Sequence, residues 1–420
     1  MLLFLEPKSC SPFYKIDRYI VDGCKTVTLR DEASIHIQFQ DQVRFLLHKS
    51  DRCLSVSFGD DSTFALIEAT VTSDVLLHSN SSVNEFFSPL FDDGRHLCGH
   101  MRFKLSSITT HHSITTRKME WKRPVYIGHR GAGCNTYGAK LMENSLSSFN
   151  LAMDSTHGKL AGIELDVMMT ADEKLVIYHD LHFPVKIRGQ TRPVAIPTLR
   201  YADMCRRKLQ RSLSNPDNTE LFSSCIIEED CPLLETVLKK LQPPSAGIVI
   251  EIKYPTNKTI RECPDLGKFS RSIIVHRVID CLKRNEDFVK QRWIALSSFD
   301  PDIVWMLGLA LSHASPNILV LQNCWFGNEH ESEDNTVDFS DARNRLPEAA
   351  IRQCRIFKGG IALEASFLLS DTFPEVDSLA KEIPIFTYGR ENLNIQHIKR
   401  QDRTDAFFVD DIQLISNQVS

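Results

Sequence analysis

Short apolar runs alternate with amphipathic stretches over about 300 residues, and histidines and carboxylates gather at the ends of those runs. A region of period-two patterning comes ahead of them. These three observations predict an α/β protein, a (β/α)8 TIM barrel preceded by a smaller β-rich domain.

The first part, residues 1–110, carries strict alternation in Ser34-Ile35-His36-Ile37-Gln38-Phe39, Leu54-Ser55-Val56-Ser57-Phe58 and Met101-Arg102-Phe103-Lys104-Leu105. Period two means strands with one wet face, and an antiparallel sandwich or part of one is expected. Residues 111–123 lack periodicity and read as a linker. In the domain from 124 to 420 the expected strands are Pro124–Ile127, Gly162–Asp166, Leu175–Tyr178, Gly247–Glu251, Trp293–Leu296, Ile318–Leu321, Ile383–Thr387 and Ala406–Val409. Helices are expected at Ser145–Met153 and Pro232–Leu241, and Leu209–Asp230 reads as a polar, mobile insertion. A doubly wound open sheet is the alternative that strand counting leaves open.

Composition excludes several functions. With 420 residues, 42% of them hydrophobic, the chain can build conventional cores. A net charge of −5 with dispersed Lys and Arg argues against a nucleic-acid groove. Met1-Leu2-Leu3-Phe4-Leu5 stops at Glu6, too short for a signal-peptide core or a membrane span, so a cytosolic protein without stable membrane insertion is expected. Twelve cysteines without a C-x-x-C pair read as free thiols. Gly131-Ala132-Gly133 is neither a dinucleotide fingerprint nor a P-loop, so no nucleotide cofactor is indicated.

The chemistry lies at strand ends, where a parallel barrel places its active site. Glu164 and Asp166 are two residues apart on one strand, so both carboxylates project from one face. Glu251 and Lys253 repeat the spacing on a later strand. One such pair alone is usually a salt-bridged strand end, but three converging carboxylates repel unless a cation joins them. Hard oxygen donors suit one divalent cation, magnesium in preference to calcium. His129 and His179 each end a predicted strand and titrate near neutrality, as a general acid and a general base must. Arg130 and Lys253 can hold non-bridging phosphate oxygens, Arg through a bidentate fork and Lys as a point charge.

In this order, His129-Arg130-Gly131, Glu143-Asn144-Ser145, Glu164-x-Asp166, His179-Asp180 and Glu251-x-Lys253 resemble the glycerophosphodiester phosphodiesterase family over residues 125–415. Gly131-Ala132-Gly133 and Ser297-Ser298-Phe299-Asp300 resemble its cytosolic glycerophosphocholine-hydrolysing branch. The resemblance implies a barrel of this family's type, His129 and His179 as the catalytic pair, and Glu164, Asp166 and Glu251 as metal ligands. It also sets Glu143 and Asn144 as residues that shape the site. Ser145 stands where the family often has Thr, and Phe386 where it commonly has Trp. The branch usually begins with a starch-binding type module, of which Phe4-Leu5-Glu6-Pro7-Lys8 resembles only the end, which argues against carbohydrate binding.

The activity implied is hydrolysis of a small glycerophosphodiester, glycerophosphocholine and water giving sn-glycerol 3-phosphate and choline, in glycerophospholipid catabolism. Attack by water and attack by a glycerol hydroxyl through a cyclic phosphate are both compatible with the residues. A lysophospholipase D and a non-catalytic barrel that binds or regulates are the alternatives. For the choline headgroup, Tyr254, Phe299 and Phe386 are the candidate aromatic faces, because a quaternary ammonium is held by ring faces rather than by hydrogen bonds.

Overall fold

The computed structural model describes strands between residues 2 and 108, then residues 113–118, 125–134, 141–155, 160–187, 190–205, 231–311, 315–325, 335–339, 341–369, 383–389, 392 and 404–412. The expected insertion at Leu209–Asp230 lies outside the described residues. Two compact units, Met1–His111 and His112–Ser420, make up the chain.

The first unit contains an antiparallel six-stranded sheet. In spatial order its strands are Leu46–Leu47, Leu2–Ser9, Leu97–Ile108, Asn84–Phe91, Ile67–Thr72 and Cys53–Phe58. Lys25–Thr28 and Ser34–Ile37 form a separate antiparallel pair. The alternating segments noted above fall on the strands Ser34–Ile37, Cys53–Phe58 and Leu97–Ile108.

The second unit is a closed parallel barrel. Its strands are β1 (Val125–Gly128), β2 (Leu160–Met169), β3 (Gly247–Ile252), β4 (Ile294–Ser298), β5 (Leu319–Cys324), β6 (Gly360–Glu364), β7 (Ile385–Tyr388) and β8 (Ala406–Val409). Each pairs with the next in parallel, and β8 closes on β1 with Val409 opposite Gly128. Helices α1 (Leu146–Ser155), α2 (Leu234–Lys240), α3 (Arg271–Arg284), α4 (Pro301–Leu311) and α5 (Pro347–Ile356) lie in the crossovers. The first two correspond to the helices expected from the sequence. Ser145 caps α1, its Oγ accepting from the Ser148 amide at 3.1 Å, so Ser in place of Thr keeps the cap.

One expected barrel strand is corrected. Leu175–Ile177 is not in the barrel; it runs antiparallel to β2, with Val167 opposite Ile177. The connection Thr170–Lys174 is too short for the crossover a parallel neighbour needs, and its reversal places Glu173 at φ 59°. The eighth barrel strand is instead Gly360-Ile361-Ala362-Leu363-Glu364.

Inside the barrel, Ile127, Val249, Ala295, Leu321, Ala362, Phe386, Ala406 and Phe408 pack together with Trp293. Alternation from these inward residues fixes which side chains reach the mouth. Gly247 opens β3 because a Cβ there would lie 1.8 Å from the Trp293 indole. The stretch 113–118 has no regular structure but is docked on the barrel unit: Ile114 is buried and its amide donates to Ser315 Oγ at 2.8 Å, and the Arg117 amide donates to Arg292 O. Cys134, Cys231, Cys263, Cys281, Cys324 and Cys354 are free thiols. Among the described residues no helix is long and apolar enough to cross a membrane.

Candidate active site

β1 delivers the first site residues through a tight turn. The Gly131 amide donates back to Gly128 O, Arg130 takes φ 48° and Gly131 φ 94°. A side chain at Gly128 would meet Gly131 O, and one at Gly131 would meet Ser148, so both glycines are required by close approach. This turn aims the Arg130 amide at Glu164 Oε2, 2.9 Å away. The Arg130 guanidinium reaches Glu143 Oε1 at 3.2 Å and Asp166 Oδ2 at 3.5 Å. Asn144, also at positive φ, donates from Nδ2 to Asp166 Oδ2 at 2.8 Å and accepts from the Asp166 amide. Glu143 and Asn144 therefore hold Arg130 and Asp166 in place.

β2 and β3 bring the carboxylates together. Asp166 lies opposite Glu251 in the parallel register, and Glu164, Asp166 and Glu251 each offer an oxygen within 4.8 Å of the others. All three are buried. Lys253 Nζ lies 2.5 Å from Glu251 Oε1 and 3.4 Å from Asp166 Oδ1. Burial, with Asp166 and Glu251 alongside, pushes the Glu164 carboxyl up to about 8. Burial also disfavours the Asp166 charge, but Lys253, His179 and Arg130 outweigh it and hold that carboxyl well below the usual range. Glu164 Oε1 is buried with no hydrogen-bond partner. Such an atom among packed carboxylates fits a cation-binding site of hard oxygen donors.

His129 stands over this set. Its Nδ1 lies 2.6 Å from Asp410 Oδ1, and its Nε2 is 3.9 Å from Glu164 Oε2. Asp410 Oδ1 also accepts from the Cys134 amide at 3.1 Å, so the carboxylate is fixed from two sides. Burial alone would depress the His129 pKa, but the charge and hydrogen bond of Asp410 overcome it and carry it up to about 9. Sequence reasoning missed Asp410, which follows β8 as His129 follows β1. His179 Nδ1 pairs with Asp180 Oδ1 at 2.8 Å, and His179 lines a cleft with Glu143, Asn144, Tyr178 and Cys231.

The headgroup candidates fare differently. Tyr254 is only 4% exposed; its hydroxyl donates to Phe269 O at 3.0 Å and the Arg271 guanidinium covers its ring at 4.6 Å. Strand parity explains this, since Glu251 and Lys253 point inward and the next residue points away. Phe386 is fully buried one layer below the mouth, level with Ala362 and Ala406. Phe299 is near the mouth, but its ring lies 5.6 Å from Lys253 Nζ and supports that ammonium instead.

Residues 129–414 match the Glycerophosphoryl diester phosphodiesterase family, a span that holds every site residue above. The chain belongs to this family. Glycerophosphocholine phosphodiesterase gde1 of Schizosaccharomyces pombe is 26% identical over 359 residues, covering 73% of this chain and 29% of that protein. The Rattus norvegicus glycerophosphocholine phosphodiesterase GPCPD1 is 32% identical over 207 residues, covering 44% of this chain and 30% of its own length. The chain thus spans less than a third of the length of these two relatives. A solved glycerophosphodiester phosphodiesterase from Thermotoga maritima, 19% identical, overlaps 70% of this chain and 98% of its own with a TM-score of 0.45.

Proposed function

We propose that this chain is a metal-dependent phosphodiesterase acting on small glycerophosphodiesters, glycerophosphocholine foremost, which it splits with water into sn-glycerol 3-phosphate and choline. The carrying observation is the buried Glu164, Asp166 and Glu251 set within 4.8 Å, with His129, Arg130 and Lys253 at its rim. The choline ester is favoured by the relatives named above. Cytosolic breakdown of glycerophospholipids is the setting this reading implies.

Glu164, Asp166 and Glu251 would hold the divalent cation, which when bound supplies charge neutralisation and Lewis acidity toward the phosphoryl oxygens. A compact three-carboxylate set leaves positions for water and substrate, which suits magnesium better than calcium. Arg130 and Lys253 direct charge at the non-bridging oxygens. His129 Nε2 faces the site because Asp410 occupies Nδ1, so this nitrogen carries or takes the proton in transfer. His179, beside Glu143 and Asn144, serves as the second proton-transfer group. Nucleic acid, carbohydrate and a membrane anchor have no part in this reading.

The test is a product assay on glycerophosphocholine, glycerophosphoethanolamine, glycerophosphoinositol and lysophosphatidylcholine, with and without chelator. Magnesium-dependent release of sn-glycerol 3-phosphate from the water-soluble diesters is expected. Turnover of lysophosphatidylcholine alone, or none at all, would overturn the proposal.

A further inference from the structure

The groups directed at phosphate and cation come from β1, β2 and β3 and the segments that follow them, which leaves the opposite half of the mouth to be accounted for. On β5, Leu321 faces the barrel interior, so Asn323 and then Trp325 continue the same inward face toward the mouth. On β7, Phe386 faces inward, and Tyr388 follows it one layer higher. On β6, Ala362 faces inward, and Glu364 comes next on that face, level with Tyr388 in the strand register. The Trp325 and Tyr388 rings stack with centroids 6.5 Å apart, and the Tyr388 hydroxyl is tied to Cys324 O at 2.6 Å. That bond fixes the ring and commits its hydroxyl, so its aromatic body is what Tyr388 can present to a ligand. Both residues are only partly buried.

Beneath them Asn323 is 4% exposed, yet its Oδ1 has no hydrogen-bond partner. A buried carbonyl oxygen left over on the inward face of the barrel calls for a ligand group of positive character. Two stacked aromatic rings, an unspent carbonyl dipole and a carboxylate-bearing position share this inward face. This set matches a trimethylammonium group: its methyl hydrogens carry the positive charge, and it donates no N–H bond. A primary ammonium would use Asn323 Oδ1 and Glu364 as acceptors but leave both ring faces unused, and Trp325 Nε1, also buried without a hydrogen-bond partner, can donate to an oxygen of the ester.

We propose that Trp325, Tyr388, Asn323 and Glu364 form the subsite that receives the quaternary ammonium of a choline ester. The proposal rests on the hydrolase reading above for its substrate, and it replaces Tyr254 and Phe386 as the headgroup residues. Phe299 meets Tyr388 edge-on at 5.9 Å and thereby links this wall to Lys253.

The experiment has a turnover arm and a binding arm, each on the full chain. In the first, kcat/KM is measured for the choline, ethanolamine and glycerol esters of glycerol phosphate in wild type, Trp325→Ala, Trp325→Phe and Glu364→Gln. The choline-to-glycerol preference should fall about tenfold in Trp325→Ala, the order expected when a desolvated cation–π contact is lost. It should fall severalfold in Glu364→Gln and be largely restored in Trp325→Phe. In the second arm, choline alone is titrated by NMR, and Trp325→Ala should weaken its binding about tenfold. Equal losses on all three esters, or choline binding unchanged in Trp325→Ala, would overturn the subsite while leaving the hydrolase reading intact. If wild type turns over no ester yet binds choline through Trp325, the subsite stands and the hydrolase reading falls.

Discussion

Glu164→Gln separates the two states that the carboxylate set is built to switch between. In the metal-free protein, burial and the charges of Asp166 and Glu251 hold the Glu164 carboxyl at about 8. At pH 7 it is therefore mostly protonated. A cation needs the carboxylate, so its uptake expels up to one proton from this group. Magnesium titrated calorimetrically at pH 7, in two buffers of different ionisation enthalpy, reads that number directly. His129, held at about 9 by Asp410 against the effect of burial, releases protons in both proteins if the cation displaces them. The difference between wild type and Glu164→Gln reads chiefly Glu164, and wild type should release the larger number, by up to one proton.

The same shift sets the pH dependence of stability. A carboxyl raised from 4.5 to about 8 binds its proton more tightly in the folded state, so chelated protein loses stability as pH rises through that window. His129, raised from 6.5 to about 9, acts in the same direction: its contribution is full below 6.5 and lost as pH passes about 9. The melting temperature of chelated wild type should thus fall from pH 5 to pH 8, less steeply in Glu164→Gln. Magnesium affinity of wild type should climb about tenfold from pH 6 to pH 7 and level off above 8. Affinity independent of pH, or equal proton release from both proteins, would refute the reasoning.

Asp410→Asn should fold as wild type and lose about 10²-fold in kcat with little change in KM, since it misorients or mistautomerises His129 rather than removing a substrate contact; wild-type kcat would refute this. Lys253→Met should tighten magnesium binding, because an ammonium 2.5 Å from Glu251 competes with the cation, while lowering turnover; weaker magnesium binding would refute it. A fragment of residues 124–420 should fold alone but melt below one starting at 112. It forfeits burial of Ile114, worth about 2 kcal/mol, and its bond to Ser315; equal melting temperatures would show that the docking contributes nothing.

What the sequence could reveal depended on range. Glu164, Asp166, Glu251 and Lys253 were readable because strand alternation is a local rule and each pair sits two residues apart. The same rule turns Tyr254 away from the mouth, and applying it strictly would have removed that residue from the headgroup candidates. Gly360–Glu364 escaped because only three apolar side chains separate its glycine from its glutamate. Leu175–Ile177 passed for a barrel strand although the five-residue connection before it forbids a parallel crossover. Asp410 was out of reach for a different reason. Its partnership with His129 spans 281 positions and exists only because β8 closes on β1, with Val409 opposite Gly128. Chain order names the strands but not the closing register, and that register makes the residue after β8 a neighbour of the residue after β1.

The charges of the site explain why its parts belong together. Glu143, Glu164, Asp166, Glu251 and Asp410 set five carboxylates against the three cations His129, Arg130 and Lys253. Two negative charges are left uncompensated in a buried place, which is costly. Without metal the site relieves part of this strain by keeping Glu164 protonated. A divalent cation held by Glu164, Asp166 and Glu251 would relieve all of it, and a monovalent ion would relieve half. With the cation in place, Lys253 and Arg130 would share Asp166 and Glu251 with it, so an incoming phosphodiester would meet a neutral site and not an anionic one. The surplus of carboxylates would therefore tie metal uptake to substrate recognition, since the uncompensated charge that draws a cation would otherwise repel the phosphate.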